Sequence, residues 1–187
     1  MKYFVTGATG FIGGRVARQL REAGHEVIAI VRDPSKGKEL AEAGVALHKG
    51  DVTDKDSLRA PMTGVDGVFH IAAWYKVGVR DKSDAVPINL GGTRHVLELM
   101  KELGIPKGVY TSTLGVNEDT GGHVVDETHR YSGPYFSEYT RTKAEAHRLA
   151  ETFIADGLPL VIVMPGLVYG PGDTSSVRTT LLQYLQR

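Results

Sequence analysis

The run Lys2-Tyr-Phe-Val-Thr6 is β-rich, and it passes without a break into Gly7-Ala-Thr-Gly10-Phe-Ile-Gly13-Gly14. A helical stretch follows to Ala23, with Val16 and Leu20 four residues apart and so on one face. Strand, glycine turn and helix, in that order, give a glycine pattern its meaning. Gly7 permits the tight turn, Gly10 lets the backbone approach a pyrophosphate, and Gly13 lets the helix pack on the strand. The unpaired N–H groups at the helix start then face the phosphates. The spacing is Gly-x-x-Gly-x-x-Gly instead of Gly-x-Gly-x-x-Gly, and a purely structural strand-to-helix turn is the competing reading.

The remaining chain continues the alternation. Strands are expected at 2–6, 26–31, 45–49, 67–71, 107–112 and 159–164, with helices at 12–23, 35–43, 55–61, 84–103 and 135–156. Crossovers of that length predict an α/β fold, a doubly wound parallel sheet with strand order 3-2-1-4-5-6. The 187 residues suffice for one such domain with a sizeable core. The longest irregular stretch, Leu114 to Pro134, contains Gly121-Gly122 and is expected to order on binding.

Two further segments carry chemistry. Val109-Tyr-Thr111-Ser112-Thr113-Leu-Gly115 is an apolar strand ending in three hydroxyl residues. Ligands of open parallel sheets lie beyond the carboxyl ends of the strands, so these hydroxyls face the crevice of the glycine loop. A Thr or Ser there also serves as a turn or cap residue. In Ser137-Glu-Tyr139-Thr-Arg-Thr-Lys143 a phenol and an ammonium lie four apart on one helix face. A free phenol titrates near pH ~10. An adjacent cation favours the phenolate and is expected to lower that value, bringing Tyr139 into range as a general acid or base.

Together these motifs resemble the extended short-chain dehydrogenase/reductase superfamily, the NAD-dependent epimerase/dehydratase group, and most of all its dihydroflavonol-reductase-like branch. The resemblance runs almost end to end. It rests on Thr6-Gly-Ala-Thr-Gly10-Phe-Ile-Gly13, Gly50-Asp51-Val-Thr-Asp54, His70-Ile-Ala-Ala73, Asn89-Leu-Gly-Gly-Thr93, Thr111-Ser-Thr113, Tyr139-x-x-x-Lys143 and Pro165-Gly-Leu-Val-Tyr169-Gly-Pro-Gly-Asp173. It implies a Rossmann fold with Thr113 as the catalytic Ser/Thr, Tyr139 as the acid/base and Lys143 binding the nicotinamide ribose while tuning the tyrosine. Asn89 would kink its helix and relay water, with an ordinary polar position as the alternative. Asp51 and Val52 would meet the adenine, Ala72 and Ala73 would line the cofactor cleft, and Pro165 would stand at the nicotinamide end. Thr9, Phe11, Ile12, Thr111 and Val168 complete the implied cofactor contacts. His70 reads as a ring wedged beneath the cofactor, or less readily as a base. Trp74 and Tyr75 read either as walls of an apolar pocket or as packing under a loop.

Cofactor choice falls on the end of the second strand, Val31-Arg32-Asp33-Pro-Ser-Lys36. An acidic residue first past this strand would hold a ribose 2′-hydroxyl. The first polar residue is Arg32, whose planar fork suits a 2′-phosphate, and Lys36 adds a second cation. This favours NADP. The alternative gives Asp33 the ribose and makes the cofactor NAD.

Composition narrows the rest. Twenty-two basic residues balance 22 acidic ones, with no basic block, so nucleic acid is not expected as a partner. The absence of cysteine excludes disulfides and thiolate catalysis, and the seven histidines show no ligand spacing, so no metal is expected. No apolar run approaches the ~18 residues of a membrane span, and no leader pattern opens the chain, so a soluble, cytoplasmic protein is expected. A homodimer is a possible assembly.

Residues 1–173 are expected to form the dinucleotide-binding domain and 174–187 the start of a substrate-binding region. Members of the resembled family carry a further carboxy-terminal region that forms most of the substrate pocket, and most of that region is expected to lie outside these 187 residues, unless the protein is a genuinely short homologue. The Leu181–Leu185 stretch reads as a helix of that region. The expected function is NADP(H)-dependent hydride transfer between nicotinamide and a carbonyl/alcohol substrate. The alternatives are an NAD-dependent sugar-nucleotide epimerase or dehydratase, and an NADP-sensing regulatory protein without turnover.

Overall fold

The computed structural model describes residues 1–76 and 78–186. The strands are β1 (Lys2–Thr6), β2 (Glu26–Val31), β3 (Ala46–Lys49), β4 (Gly67–His70), β5 (Gly108–Thr111) and β6 (Leu160–Val163). The helices are α1 (Phe11–Glu22), α2 (Lys38–Glu42), α3 (Lys55–Met62), α4 (Thr93–Glu102), α5 (Glu138–Ala155) and α6 (Ser176–Leu185). All six strands form one parallel sheet ordered β3-β2-β1-β4-β5-β6, as the alternation predicts.

Period-two alternation divides the core between the two faces of this sheet. Phe4, Ile28, Ile30, Val68, Tyr110 and Leu160 point to one side and pack against Leu58 and Met62 of α3, Val96 and Leu99 of α4, and Ala146 and Ala150 of α5. Val5, Val27 and Ala29 point to the other and meet Ala17 of α1 and Leu40 of α2. On that second face β6 is left open, with Val161 and Val163 61% and 40% exposed.

Three helices differ from expectation. The expected helix 35–43 is a 3₁₀ turn, Pro34–Gly37, followed by the short α2. Asp33 caps that turn through Ser35, and Pro34 at its first position fixes φ. The expected helix 84–103 opens as a π-helical segment, Pro87–Gly92, before tightening into α4. The helix expected at 135–156 begins only at Glu138, because the Ser137 hydroxyl accepts the Thr140 N–H in a capping box. The final residue of the expected 174–187 segment, Arg187, lies outside the described residues.

Candidate active site

The glycine turn is dictated by close contacts. Gly7 has φ of +72°, and a Cβ there would lie 2.7 Å from the Ala72 nitrogen. A Cβ on Gly13 would collide with the Gly7 carbonyl. Gly10 is the extended N-cap of α1, and no side chain caps this helix. The first N–H groups of α1, next to Phe11 and Ile12, thus open at the carboxyl edge of β1, where an anionic phosphate fits. Thr9 is exposed on the same turn.

At the end of β2, Arg32 is exposed and makes no hydrogen bond or ion pair among the described residues. Asp33 is engaged: its Oδ1 accepts from Ser35 N (3.0 Å) and Ser35 Oγ (2.7 Å). Those bonds, first the hydroxyl and then the amide, hold its carboxyl below the usual range, with Lys36 and Lys49 helping. Beyond β3, Asp51 Oδ1 accepts from Thr53 N and Oγ1, both at 2.9 Å, in a tight local turn. Val52 is buried beside it, and its carbonyl meets the His95 ring at 2.9 Å.

α5 brings the expected acid/base group to the end of β5. Lys143 is wholly buried, its Nζ donating to the Thr111 carbonyl at 2.7 Å and lying 4.5 Å from the Tyr110 ring centre. Burial lowers its pKa to about 7. The Tyr139 ring packs edge-on against Tyr75, centroids 4.9 Å apart. Its pKa is raised by burial, which outweighs the lowering hydrogen bond from Thr113. This corrects the expectation of a phenol lowered by its neighbour. The Lys143 ammonium is turned onto the Thr111 carbonyl and itself resists charge, so desolvation decides the phenol's proton affinity. Thr113 Oγ1 also accepts the Gly115 N–H at 3.2 Å, capping the 3₁₀ turn Leu114–Asn117.

Beneath these groups runs a chain of buried polar side chains. Thr6 Oγ1 accepts the N–H groups of Ile71 and Ala72, both at 3.0 Å, so its own hydrogen is directed to His70 Nδ1 at 2.8 Å. His70 is therefore neutral with its proton on Nε2, which donates to Thr93 Oγ1 at 3.0 Å. Thr93 in turn donates to the Asn89 carbonyl at 2.6 Å. Burial, with Lys143 adding to it, pushes the His70 pKa down to about 3, so the ring is no base near neutrality.

Asn89 Oδ1 accepts Trp74 N at 2.7 Å, and its Nδ2 donates to Trp74 O and Thr142 Oγ1 at 3.2 and 2.9 Å. These three bonds tie the edge beyond β4 to the start of α5. Thr6, Thr93 and Thr142 escaped the sequence reading as members of this chain. All three stand in quoted segments, but a lone threonine gives no sign of which buried atom it will meet.

The loop after β6 completes the edge. The Pro165 carbonyl accepts Leu114 N at 3.1 Å, and Arg15 of α1 donates to the Pro171 carbonyl while stacking on Phe11, 3.9 Å from the ring centre. Ile12, Ile71, Thr111, Pro165 and Val168 line an apolar cavity of about 470 Å³ on the open face of the sheet. Ala72 stands beside Gly7 at the rim, and Ala73 is exposed. Trp74 is buried, whereas Tyr75 is half exposed against Tyr139. Lys36 is exposed next to Asp33. Among the described residues no three His, Asp or Glu side chains gather as a metal site, and no helix is long and apolar enough to cross a membrane.

A glycine turn feeding an uncapped helix at the carboxyl edge of a parallel sheet ordered β3-β2-β1-β4-β5-β6 defines a dinucleotide-binding fold. The model of the NAD dependent epimerase/dehydratase family matches residues 3–187, and the chain belongs to that family. It is 35% identical to the putative dihydroflavonol 4-reductase of Synechocystis sp., over 99% of this chain and 55% of the relative. The crystal structure of gox2253 matches 97% of this chain and 56% of its own at 33% identity, with a TM-score of 0.85. A short-chain dehydrogenase/reductase superfamily protein from Agrobacterium tumefaciens, solved with bound NAD, matches 88% of this chain and 48% of its own at 25% identity, with a TM-score of 0.76. The chain spans about half the length of the curated relatives it matches.

Proposed function

We propose that the chain is the nucleotide-binding part of an NADP(H)-dependent reductase that interconverts a carbonyl and an alcohol. Residues 1–173 form the cofactor domain in this reading, and 174–187 begin the substrate-binding region. The phosphates take the open start of α1, Asp51 and Val52 take the adenine, and Ala72, Ala73, Pro165 and Val168 flank the rest. When bound, the nicotinamide supplies or accepts the hydride.

The proton is handled by this chain's own residues. The raised pKa of Tyr139 keeps its phenol protonated near neutrality, the form needed to give a proton to a carbonyl oxygen. Thr113 orients that oxygen beside the phenol. Lys143, poised at about 7 in its buried niche, gains from ribose hydroxyls that accept from it.

The preference for NADP rests on Arg32, the first polar residue past β2, which is free and exposed, while the carboxylate beside it has one oxygen, Oδ1, taken by Ser35. A 2′-phosphate therefore meets an available guanidinium, and a ribose 2′-hydroxyl is left with Asp33 Oδ2 alone. A charge-assisted bond of this kind contributes roughly 1.5–3 kcal/mol. Titrating NADPH and NADH into wild type and Arg32→Ala is expected to show tighter NADPH binding that the substitution largely erases. Equal affinities in the wild type would assign NAD instead.

A further inference from the structure

Lys143, His147 and Glu151 stand four residues apart along one face of α5. Lys143 Nζ grips the Thr111 carbonyl at 2.7 Å. One turn later, His147 Nδ1 shares a hydrogen bond of 2.8 Å with Ser112 Oγ. Two successive residues at the end of β5 are thus held by two successive turns of α5, and the next residue is Thr113. Ser112 is only 3% exposed, and its N–H is bonded to the Val163 carbonyl at 2.8 Å. Its hydroxyl belongs to no part of the mechanism above.

We propose that Ser112 and His147 form a positioning pair that fixes the level of Thr113 and Lys143 for cofactor binding, and that protonation of His147 loosens it. The proposal rests on reading Lys143 as the ribose ligand. The groups around the ring are Lys143, Arg148 and Glu151 from α5, and His129, Arg130, Tyr131 and Tyr135 from the loop before it. Glu151 Oε1 lies 3.6 Å from His147 Nε2 and also pairs with Arg130. Burial keeps the ring neutral. Glu151 opposes that effect, while Arg130 and Lys143 reinforce it.

A neutral Nδ1 accepts the Ser112 hydroxyl hydrogen. A protonated one must donate, which leaves that hydrogen without its acceptor. It also sets a second cation one helical turn from a fully buried ammonium, where each charge weakens the other. The pair's contribution to cofactor affinity is lost as pH falls through the ring's lowered pKa, opposite in sign to the gain from charging Lys143 near 7.

The test is a fluorescence titration of NADPH into wild type, His147→Gln, Ser112→Ala, Ser112→Thr and Lys143→Met between pH 8 and pH 5.5. Relative to His147→Gln, which keeps the Lys143 titration, wild-type affinity is expected to fall by up to about tenfold between pH 8 and pH 5.5, the equivalent of one pKa unit. His147→Gln should bind like wild type at pH 8 and lose most of the acid limb, because its amide still meets Ser112 but does not titrate. Any titration of the cofactor's own phosphate is common to both proteins and cancels in the comparison. Ser112→Ala should bind roughly fivefold more weakly at pH 8, the worth of one ordinary hydrogen bond, with the gap narrowing at pH 5.5, and Ser112→Thr should restore it.

Parallel pH curves for wild type and His147→Gln, or wild-type affinity in Ser112→Ala, would overturn the pair. If Ser112→Ala fails to fold, the His147→Gln pH curve decides alone. Undiminished affinity in Lys143→Met removes the ribose reading itself, a result separate from either.

Discussion

Tyr139 and Lys143 are each set by burial, and in opposite senses. The phenol holds its proton more firmly, whereas the ammonium releases its proton near pH 7. Tyr139→Phe keeps the ring and its contact with Tyr75, so we expect unchanged folding and near-normal cofactor affinity with turnover reduced ~10²–10⁴-fold. Wild-type kcat in that variant, measured in a longer protein that holds substrate, would refute the proton-donor role. Lys143→Met should separate function from stability. The lysine has a folded pKa below its unfolded one, so between about 7 and 10.5 the unfolded chain binds the extra proton and stability rises with pH. Removing this buried cation should stabilise the unliganded protein at pH 7 by about 1–4 kcal/mol, read as a raised denaturation midpoint, while cofactor affinity drops. His70 sets the acid side. Its folded pKa of about 3 lies below the ordinary 6.5, so stability is lost as pH falls through that window. His70→Gln, whatever its own cost at neutral pH, should flatten the denaturation midpoint between pH 6.5 and 3.

Elements were legible where a single residue type is forced. The glycine turn, the six strands and their order followed from Gly7, Gly10 and Gly13 and from the apolar runs that alternate with helices. The start of α5 was misplaced because Tyr135 and Phe136 continue the apolar pattern, while the Ser137 hydroxyl decides the boundary. The wide π turn does not show in the periodicity, although the resemblance puts a helix kink at Asn89, inside it. The partners Asn89 reaches there, Trp74 and Thr142, lie 15 and 53 residues away. The same distance hid the pairing of Ser112 with His147, 35 residues apart. Asn89 thus holds three elements together, and Asn89→Ala leaves the Trp74 N–H and C=O without their partner. We expect a loss of roughly 2–4 kcal/mol, since buried unmet groups cost about 1–3 kcal/mol each. A urea midpoint unchanged from wild type would show that water replaces the amide.

At the scale of the whole molecule, the open face of β6 is the unusual feature. Val161, Val163, Leu167 and Tyr184 all expose apolar surface. The 187-residue chain alone is expected to bind NADPH, to self-associate in light scattering, and to turn over carbonyl substrates little. Positioning supplies roughly 7–11 kcal/mol of barrier reduction, which the proposed function assigns chiefly to a substrate-binding region that begins at 174–187. A monodisperse chain that reduces a ketone as fast as a longer version would contradict this. The buried run from Thr6 through His70 and Thr93 to Asn89 also bears on how such a molecule can drift in sequence. Each hydroxyl or ring both gives and receives, so a change at one position strands its neighbour. Thr93→Val and His70→Phe should each be costly, and together cost less than their sum by about 0.5–3 kcal/mol. Descendants of this sequence would then have to trade these side chains in sets, so the spine is inherited as one character.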